Sequence, residues 1–598
     1  MKSKIKRSAM WGRSTLLLGA LLLLAAGVAF AGRAKLSKDL DGKKASDQVN
    51  VIVQFNTVPT AKHHKAVLRR GGKLMRELKH IRSGAYSIPA SALADLQANP
   101  DVLYVSPDRP IHTMGTTASA GPVVDYHTDA IHAAAAWAQG LDGSGVGVAV
   151  VDSGIAPVND LNPVVYSQDF TPGNGHGEDL YGHGTHIAGI IAGNGHGSTG
   201  PAYSYHFQGI APHVNLINLR VLDQNGQGSD SQVIAAIETA IQLKDTYNIR
   251  VLSLSLGRGV FDSYTQDPLC QAVEQAWAAG IVVVVSSGNN GRNNDAGTNG
   301  YGTVTAPGND PFVLTVGAMN TLGTPDRTDD IPASYSSKGP TYVDNVIKPD
   351  LVAPGNLIVS LYNPGETLTQ MIPDNLLPDS AYMVGAGSSP SPTYFVLSGT
   401  SMAAPMVSGA AALLLQQNPA LTPDQVKARL MTTAFKNLVT AAVATDPDTG
   451  QTFSLQADIF TVGAGYLDIE AALASTDLAP PLLGSALSPL ALLDANGNVV
   501  LQPNGSSVIG SQSILWGTGS VFGQSILWGT STSGESILWG TDMLAGQSIL
   551  WGTRQADAQS ILWGPKQENA QSILWGSSIL WGTKGDSQKR VAAKGDEQ

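Results

Sequence analysis

Three short phrases stand in one order along the chain: Val150-Val-Asp152-Ser-Gly, Gly182-His183-Gly-Thr-His-Ile-Ala-Gly and Gly399-Thr-Ser401-Met-Ala-Ala-Pro. They supply a carboxylate, an imidazole and a hydroxyl. A serine hydroxyl is a poor nucleophile unless a base takes its proton during attack, and that base needs an orienting carboxylate. The same geometry recurs on unrelated folds with different chain orders, so the order Asp, His, Ser carries information of its own. A fourth residue joins them. The run Ile281-Val-Val-Val-Val-Ser-Ser-Gly-Asn289 ends in an amide that can stabilise the oxyanion of a tetrahedral intermediate. Taken singly, Asp152 reads as a strand-end cap, Asn289 as a turn former and Ser401 as a helix N-cap. Only the joint pattern points to nucleophilic catalysis.

The elements that must position these groups are legible too. Apolar runs at Val146–Val151, Val214–Val221, Val251–Leu254, Ile281–Val285 and Phe312–Val316 alternate with helical stretches at His183–Ala192, Asp230–Thr246, Leu269–Ala279 and Ser401–Gln417. Continuous Val, Ile and Leu, rather than in–out alternation, predicts strands buried on both faces. The fold class is therefore α/β, a parallel sheet flanked by helices. Asp152 ends a strand, where such sheets expose functional groups. His183 opens a helix whose Gly and Ala residues allow close packing on that strand end. Ser401 opens another, with Pro405 expected in its first turn and the helix dipole favouring negative charge there.

Together with Ser255-Leu-Gly and Ser287-Gly-Asn289, these phrases resemble the signature blocks of the subtilisin-like serine proteases. The resemblance runs from Gly121 to Ala474. It implies Ser401 as nucleophile, His183 as general base and acid, and Asp152 as its orienter. Asn289, with the Ser401 backbone N–H, would form the oxyanion hole. His186 is read as structural. Ser255, Leu256, Gly257, Ser287 and Gly288 would line the substrate as edge strands, with Thr305 near the base of the specificity pocket. No acid falls at those positions, so an apolar or medium-sized P1 residue is expected over Lys or Arg. Ala306-Pro307 is expected to be cis. The family also implies structural calcium, with no ligands assignable here. Asp160, Asp169 and Asp179 read as solvated loop acids. No other cofactor is required. Residues inserted between Pro354 and Ser398, including Gly385 to Pro392, read as a surface loop.

Ahead of this body, Val49–Phe55 reads as a strand, Ala61–His80 as a basic amphipathic helix, Ala85–Ile88 as a strand, Ser91–Ala98 as a helix and Val102–Val105 as a strand. This small α+β module, closing on Val105-Ser-Pro-Asp108, resembles the family's inhibitory propeptide. By that analogy cleavage falls near Met114-Gly115, with Ile111 and Met114 as P4 and P1. Residues 32–113 hold 14 basic and 7 acidic residues, net +7, whereas 114–598 hold 17 and 40, net −23. The opposite signs suggest that the two parts associate.

The first residues carry Lys2, Lys4, Lys6, Arg7 and Arg13 and no acid, then an apolar run from Leu16 to Phe30 and the small-x-small Ala29-Phe30-Ala31. That pattern reads as a cleaved signal over residues 1–31, with a retained membrane anchor as the alternative, the apolar run being shorter than the about 20 residues needed to span a bilayer. The protein is expected to be secreted, whether extracellular, cell-surface or periplasmic. The remaining boundaries are a propeptide over 32–114, a peptidase domain over 115–475, a Pro- and Gly-rich linker over 476–510, a repeat tail over 511–583 and a disordered end over 584–598. With one cysteine, Cys270, no internal disulfide can form.

The tail repeats Ser-Ile-Leu-Trp-Gly seven times, beginning at Ser513, Ser525, Ser536, Ser548, Ser560, Ser572 and Ser578, and holds seven of the ten tryptophans. One unit cannot bury itself, but several can stack as short strands. Two readings stand for it: contact with a cell surface or another protein, or an extension with no fixed partner. The partners expected overall are protein or peptide substrates and the chain's own propeptide as inhibitor, with no nucleic acid. A different class of function remains, a non-catalytic adhesion or scaffold protein acting through its repeats.

Overall fold

Valine-rich strands form the centre of the larger of two units. The computed structural model describes residues 35–113, 116–117, 125–493 apart from 174, 296 and 448, 499–505, 507–509, and in the tail only 550–551, 562–563 and 596. The signal segment, Met114 and Gly115, and nearly all of the repeats lie outside the described residues. The chain falls into two units, residues 1–75 with 82–107, and residues 76–81 with 108–598.

The first unit carries β1 (Gln48–Phe55), β2 (Lys73–Leu78), β3 (Ser83–Pro89) and β4 (Val102–Pro107), in the order β2-β3-β1-β4. β1 pairs antiparallel with both β3 and β4. Its core is Val51, Val53, Phe55, Val67, Tyr86, Ile88, Leu96 and Val102. One expectation fails here. The helix read over Ala61–His80 ends at Leu68, and Lys73–Leu78 is the strand β2. The pair Gly71-Gly72 explains it: Gly71 takes φ +82, a left-handed conformation that stops a helix. Beyond it exposed residues alternate with half-buried or buried ones at period two, as in a strand.

In the second unit, β5 (Pro110–Thr113) and β6 (Thr116–Thr117) precede the central sheet. That sheet uses β7 (Gly147–Asp152), β8 (Tyr166–Asp169), β9 (Asn215–Arg220), β11 (Ile249–Leu254), β13 (Val282–Ser286), β14 (Leu314–Asn320), β15 (Ile331–Pro332) and β16 (Leu351–Pro354). The order is β15-β14-β13-β11-β7-β9-β8, with β16 on β14. Every pairing is parallel except β14 with β15. β7 and β13 are buried along their whole length, as uninterrupted apolar runs require. Helices form over His183–Ala192, Asp230–Tyr247, Pro268–Ala278 and Thr400–Gln417. Ala306-Pro307 is cis.

The insertion before Ser401 is ordered secondary structure rather than a plain surface loop. β17 (Ile358–Leu361) and β18 (Leu376–Pro378) both pair with β19 (Pro390–Ser398). Tyr382 packs edge-on to Tyr394 and stacks on Tyr203. The segment expected as a linker is also corrected. Ser488 Oγ bonds Asp350 Oδ1 at 2.5 Å and accepts from Lys427 Nζ at 2.8 Å, while Ile347 N donates to Pro489 O. Leu490–Leu493 then pairs with Val499–Gln502. Pro and Gly made the segment look extended, but its Ser488 hydroxyl serves one buried cation, Lys427, and one buried carboxylate, Asp350. In the tail, Leu550–Trp551 pairs parallel with Leu562–Trp563, Leu on Leu and Trp on Trp. Asp596, within the end expected to be disordered, is buried.

Candidate active site

At the carboxyl ends of the central strands Asp152 meets His183, Asn289 meets Thr400, and Ser401 meets Ser255. Asp152 closes β7, and its Oδ1 lies 2.7 Å from His183 Nδ1. A carboxylate only accepts, so Nδ1 carries the proton and Nε2 keeps a free lone pair, the tautomer a general base needs. Both side chains are 1% exposed. The helix carrying His183 reaches the strand end because Gly184 has no side chain: a Cβ there would sit 2.1 Å from Gly154 O.

Asp179 fixes that helix start. It accepts from Gly182 N at 2.7 Å, Thr185 N at 2.8 Å, Thr185 Oγ1 at 2.7 Å and Ser153 Oγ at 2.9 Å. Burial pushes its carboxyl above the usual range, against which these donors pull it down. Glu366 packs on Gly182 from the other side, where a Cβ would fall 2.4 Å from its carboxyl. Burial, and secondarily the Asp179 charge, raise Glu366 to about 8. Neither residue was legible as part of the site from sequence. Asp179 stands four residues before His183, a cap-like place that was the available signal.

Asp160, Asp169 and Asp179 are not solvated. Asp160 accepts from Gly197 N and Tyr394 Oη, and Asp169 pairs with Arg220 at 3.0 Å. Their donors come from distant segments, which local sequence does not reveal. With those donors in place the three acids do not fit a calcium cage. Among the described residues, no group of three His, Cys, Asp or Glu side chains stands together.

His186 is wholly buried, and its Nε2 donates to Phe395 O at 3.1 Å. Burial, followed by the neighbouring His183, lowers it to about 3, so it stays neutral.

Ser401 is the second residue of its helix. Pro405 is not in the first turn but is the sixth helical residue. Lacking an N–H, it leaves the Ser401 carbonyl without the usual helical partner. Ser255 Oγ takes that carbonyl at 3.0 Å, and Ser401 Oγ donates to Ser255 O at 3.1 Å. Asn289 is turned by Thr400, whose N and Oγ1 both bond its Oδ1 at 3.0 Å. The amide oxygen is held by Thr400, which fixes the orientation of the Asn289 side chain.

The remaining expected residues divide. Leu256 and Gly257 form β12, which pairs antiparallel with β5, while β10 (Gln227–Ser229) pairs with β5 on its other edge. Ser255 serves Ser401 instead. Ser287 O accepts from Thr305 N at 3.0 Å, Gly288 O from Ser337 N, and Gly288 N donates to Thr400 Oγ1. Arg258 anchors β12, bonding Asp230 and Asp267 from a buried position.

β5 is the chain's own segment. His112 pairs with Gly257 and Gln227, and Ile111 is fully buried. Asp108 accepts from Ser231 N at 2.8 Å and Ser231 Oγ at 2.7 Å, at the start of the Asp230–Tyr247 helix. On the far side of Met114-Gly115, β6 pairs with β19, Thr116 opposite Ser398. The chain thus enters along β10 and β12 and leaves along the strand that runs into Ser401.

A parallel sheet presenting an acid, an imidazole and a hydroxyl at its carboxyl ends defines a subtilisin-like fold. The crystal structure of fervidolysin from Fervidobacterium pennivorans, a keratinolytic enzyme related to subtilisin, shares it with a TM-score of 0.54 and 23% identity, over 74% of this chain and 62% of that one. A model of the subtilase family matches residues 143–463, and the chain belongs to that family. Serine protease AprX of Bacillus subtilis (strain 168) is 40% identical over 313 residues, 51% of this chain and 65% of AprX, just under two thirds of its length. Subtilisin E of the same strain is 32% identical over 397 residues, 65% of this chain and 86% of that protein.

Proposed function

We propose that the protein is a secreted serine endopeptidase made as a self-processing zymogen. Ser401 attacks the scissile carbonyl while His183 Nε2 takes its proton. Asp152 holds the imidazole in the required tautomer and stabilises the imidazolium. Asn289 and the Ser401 N–H stabilise the oxyanion. His183 then protonates the leaving amine, and water releases the acyl group by the same steps in reverse.

The observation that carries this reading is the course of residues 108–117. An extended segment added between β10 and β12 is how such a cleft would hold a substrate by strand addition. β5 ends at Thr113 and β6 begins at Thr116, opposite Ser398, which supports cleavage at the Met114-Gly115 bond between them. In that register Ile111 occupies a buried P4 position and Met114 is P1, consistent with an apolar or medium P1 preference. The basic segment over 32–114 acts as inhibitor until it is released. Substrates are proteins or peptides. The Trp-rich tail contacts a cell surface or another protein. Among the described residues no helix is long and apolar enough to cross a membrane.

Purified full-length precursor tests the proposal. Wild type is expected to convert to a form beginning at Gly115, identified by N-terminal sequencing, while Ser401→Ala remains intact. Equal behaviour of the two proteins would overturn it.

A further inference from the structure

A second polar cradle lies outside the four residues above, and its occupant comes from beyond the repeats. Arg292 stands between two aromatic rings, with Tyr335 and Phe453 at 5.7 and 5.6 Å. Its Nε donates to Ser334 Oγ at 2.7 Å, its Nη1 lies 3.2 Å from Asp446, and its Nη2 lies 2.8 Å from Asp596 Oδ1. Ser334 N donates to Asp596 Oδ2 at 2.6 Å, and Ser334 Oγ donates to Asp596 Oδ1. Asn356 reads the backbone: its Oδ1 accepts from Asp596 N at 2.8 Å and its Nδ2 donates to Asp596 O at 3.0 Å. Asp596 is 2% exposed.

This is recognition of one residue by both its main chain and its charge. Stacked, hydrogen-bonded Arg292 is pre-organised, so little is lost in ordering it, and charge-assisted bonds are the stronger kind. The three segments that build the cradle also border the active site. Gly291 N bonds Tyr335 O, Tyr335 Oη bonds Gly355 O at 2.8 Å, and Gly399 N bonds the same carbonyl. On the near side of the repeats the chain is also fixed: Val508 N bonds Ser485 O, and Ile509 is fully buried.

We propose that Arg292, Ser334 and Asn356 form a receptor for an aspartate residue, filled in cis by Asp596. By chain continuity the seven repeats then lie between two held points, Ile509 and Asp596.

The test uses the full chain carrying Ser401→Ala, which prevents self-cleavage, with and without Asp596→Ala. Backbone hydrogen exchange at Ser334 is expected to quicken at least about tenfold without the Asp596 carboxylate, the size expected for losing hydrogen bonds to a charged group. Adding a peptide of residues 592–598 in trans to the Asp596→Ala protein should restore protection. The same peptide with Asn in place of its Asp should restore much less. Unchanged exchange at Ser334 in Asp596→Ala would overturn the proposal, and so would equal protection by the two peptides.

Discussion

Ser401 and Ser255 exchange hydrogen bonds in both directions, each hydroxyl donating to the other's carbonyl at 3.1 and 3.0 Å. The pairing follows from Pro405, which cannot donate to the Ser401 carbonyl and so leaves it for a side chain. Ser255→Ala in the Ser401→Ala background leaves that buried carbonyl unsatisfied. Unfolding free energy should fall by about 1–3 kcal/mol in urea titration. No change would show that the bond contributes nothing net.

Asp179 positions His183 without touching the reacting atoms. Asn at 179 would turn an NH₂ group toward backbone and hydroxyl donors that now meet a carboxylate. In the processed enzyme, Asp179→Asn should lower kcat about 10²-fold with KM nearly unchanged, since small displacements of a catalytic group cost that much. A loss confined to KM would assign Asp179 to substrate binding instead.

Glu366 makes stability depend on pH. Its folded pKa, about 8, lies above the ordinary carboxylate value, so the folded state holds the proton more tightly. The stabilisation is complete below the unfolded pKa of about 4.3 and is lost as pH rises through about 8. Glu366→Gln removes the dependence. Relative to its parent, the variant should gain on the order of 1–3 kcal/mol between pH 5 and pH 9, read from denaturant midpoints in the Ser401→Ala background. Parallel pH profiles would rule the assignment out.

Ser488 and its neighbours belong to the peptidase body. A chain ending at Thr476 strips Ser488 from Lys427 and Asp350, both wholly buried. It should unfold about 2–4 kcal/mol sooner than one ending at Ile509, because buried charges lose a partner. Equal stability of the two truncated chains would restore the segment to a mere connection.

The sequence by itself determined the parallel sheet and the four groups at its strand ends. Buried strands need unbroken Val, Ile and Leu, and the blocks around Asp152, His183, Asn289 and Ser401 are short enough to be set by their own residues. The place of β5 between β10 and β12 was not read from the sequence. Local pattern misled where one charge spacing suited two periods, as at Lys73–Leu78, and where Pro and Gly looked extended, as at residues 477–493. Only the tertiary structure decided the partners of Asp160, Asp169, Asp179, Glu366 and Asp596. Each is a lone carboxylate whose state is fixed by donors or charges brought from elsewhere in the chain. Hydrogen bonds and desolvation act over a few ångströms in space, and separation along the sequence carries no record of them.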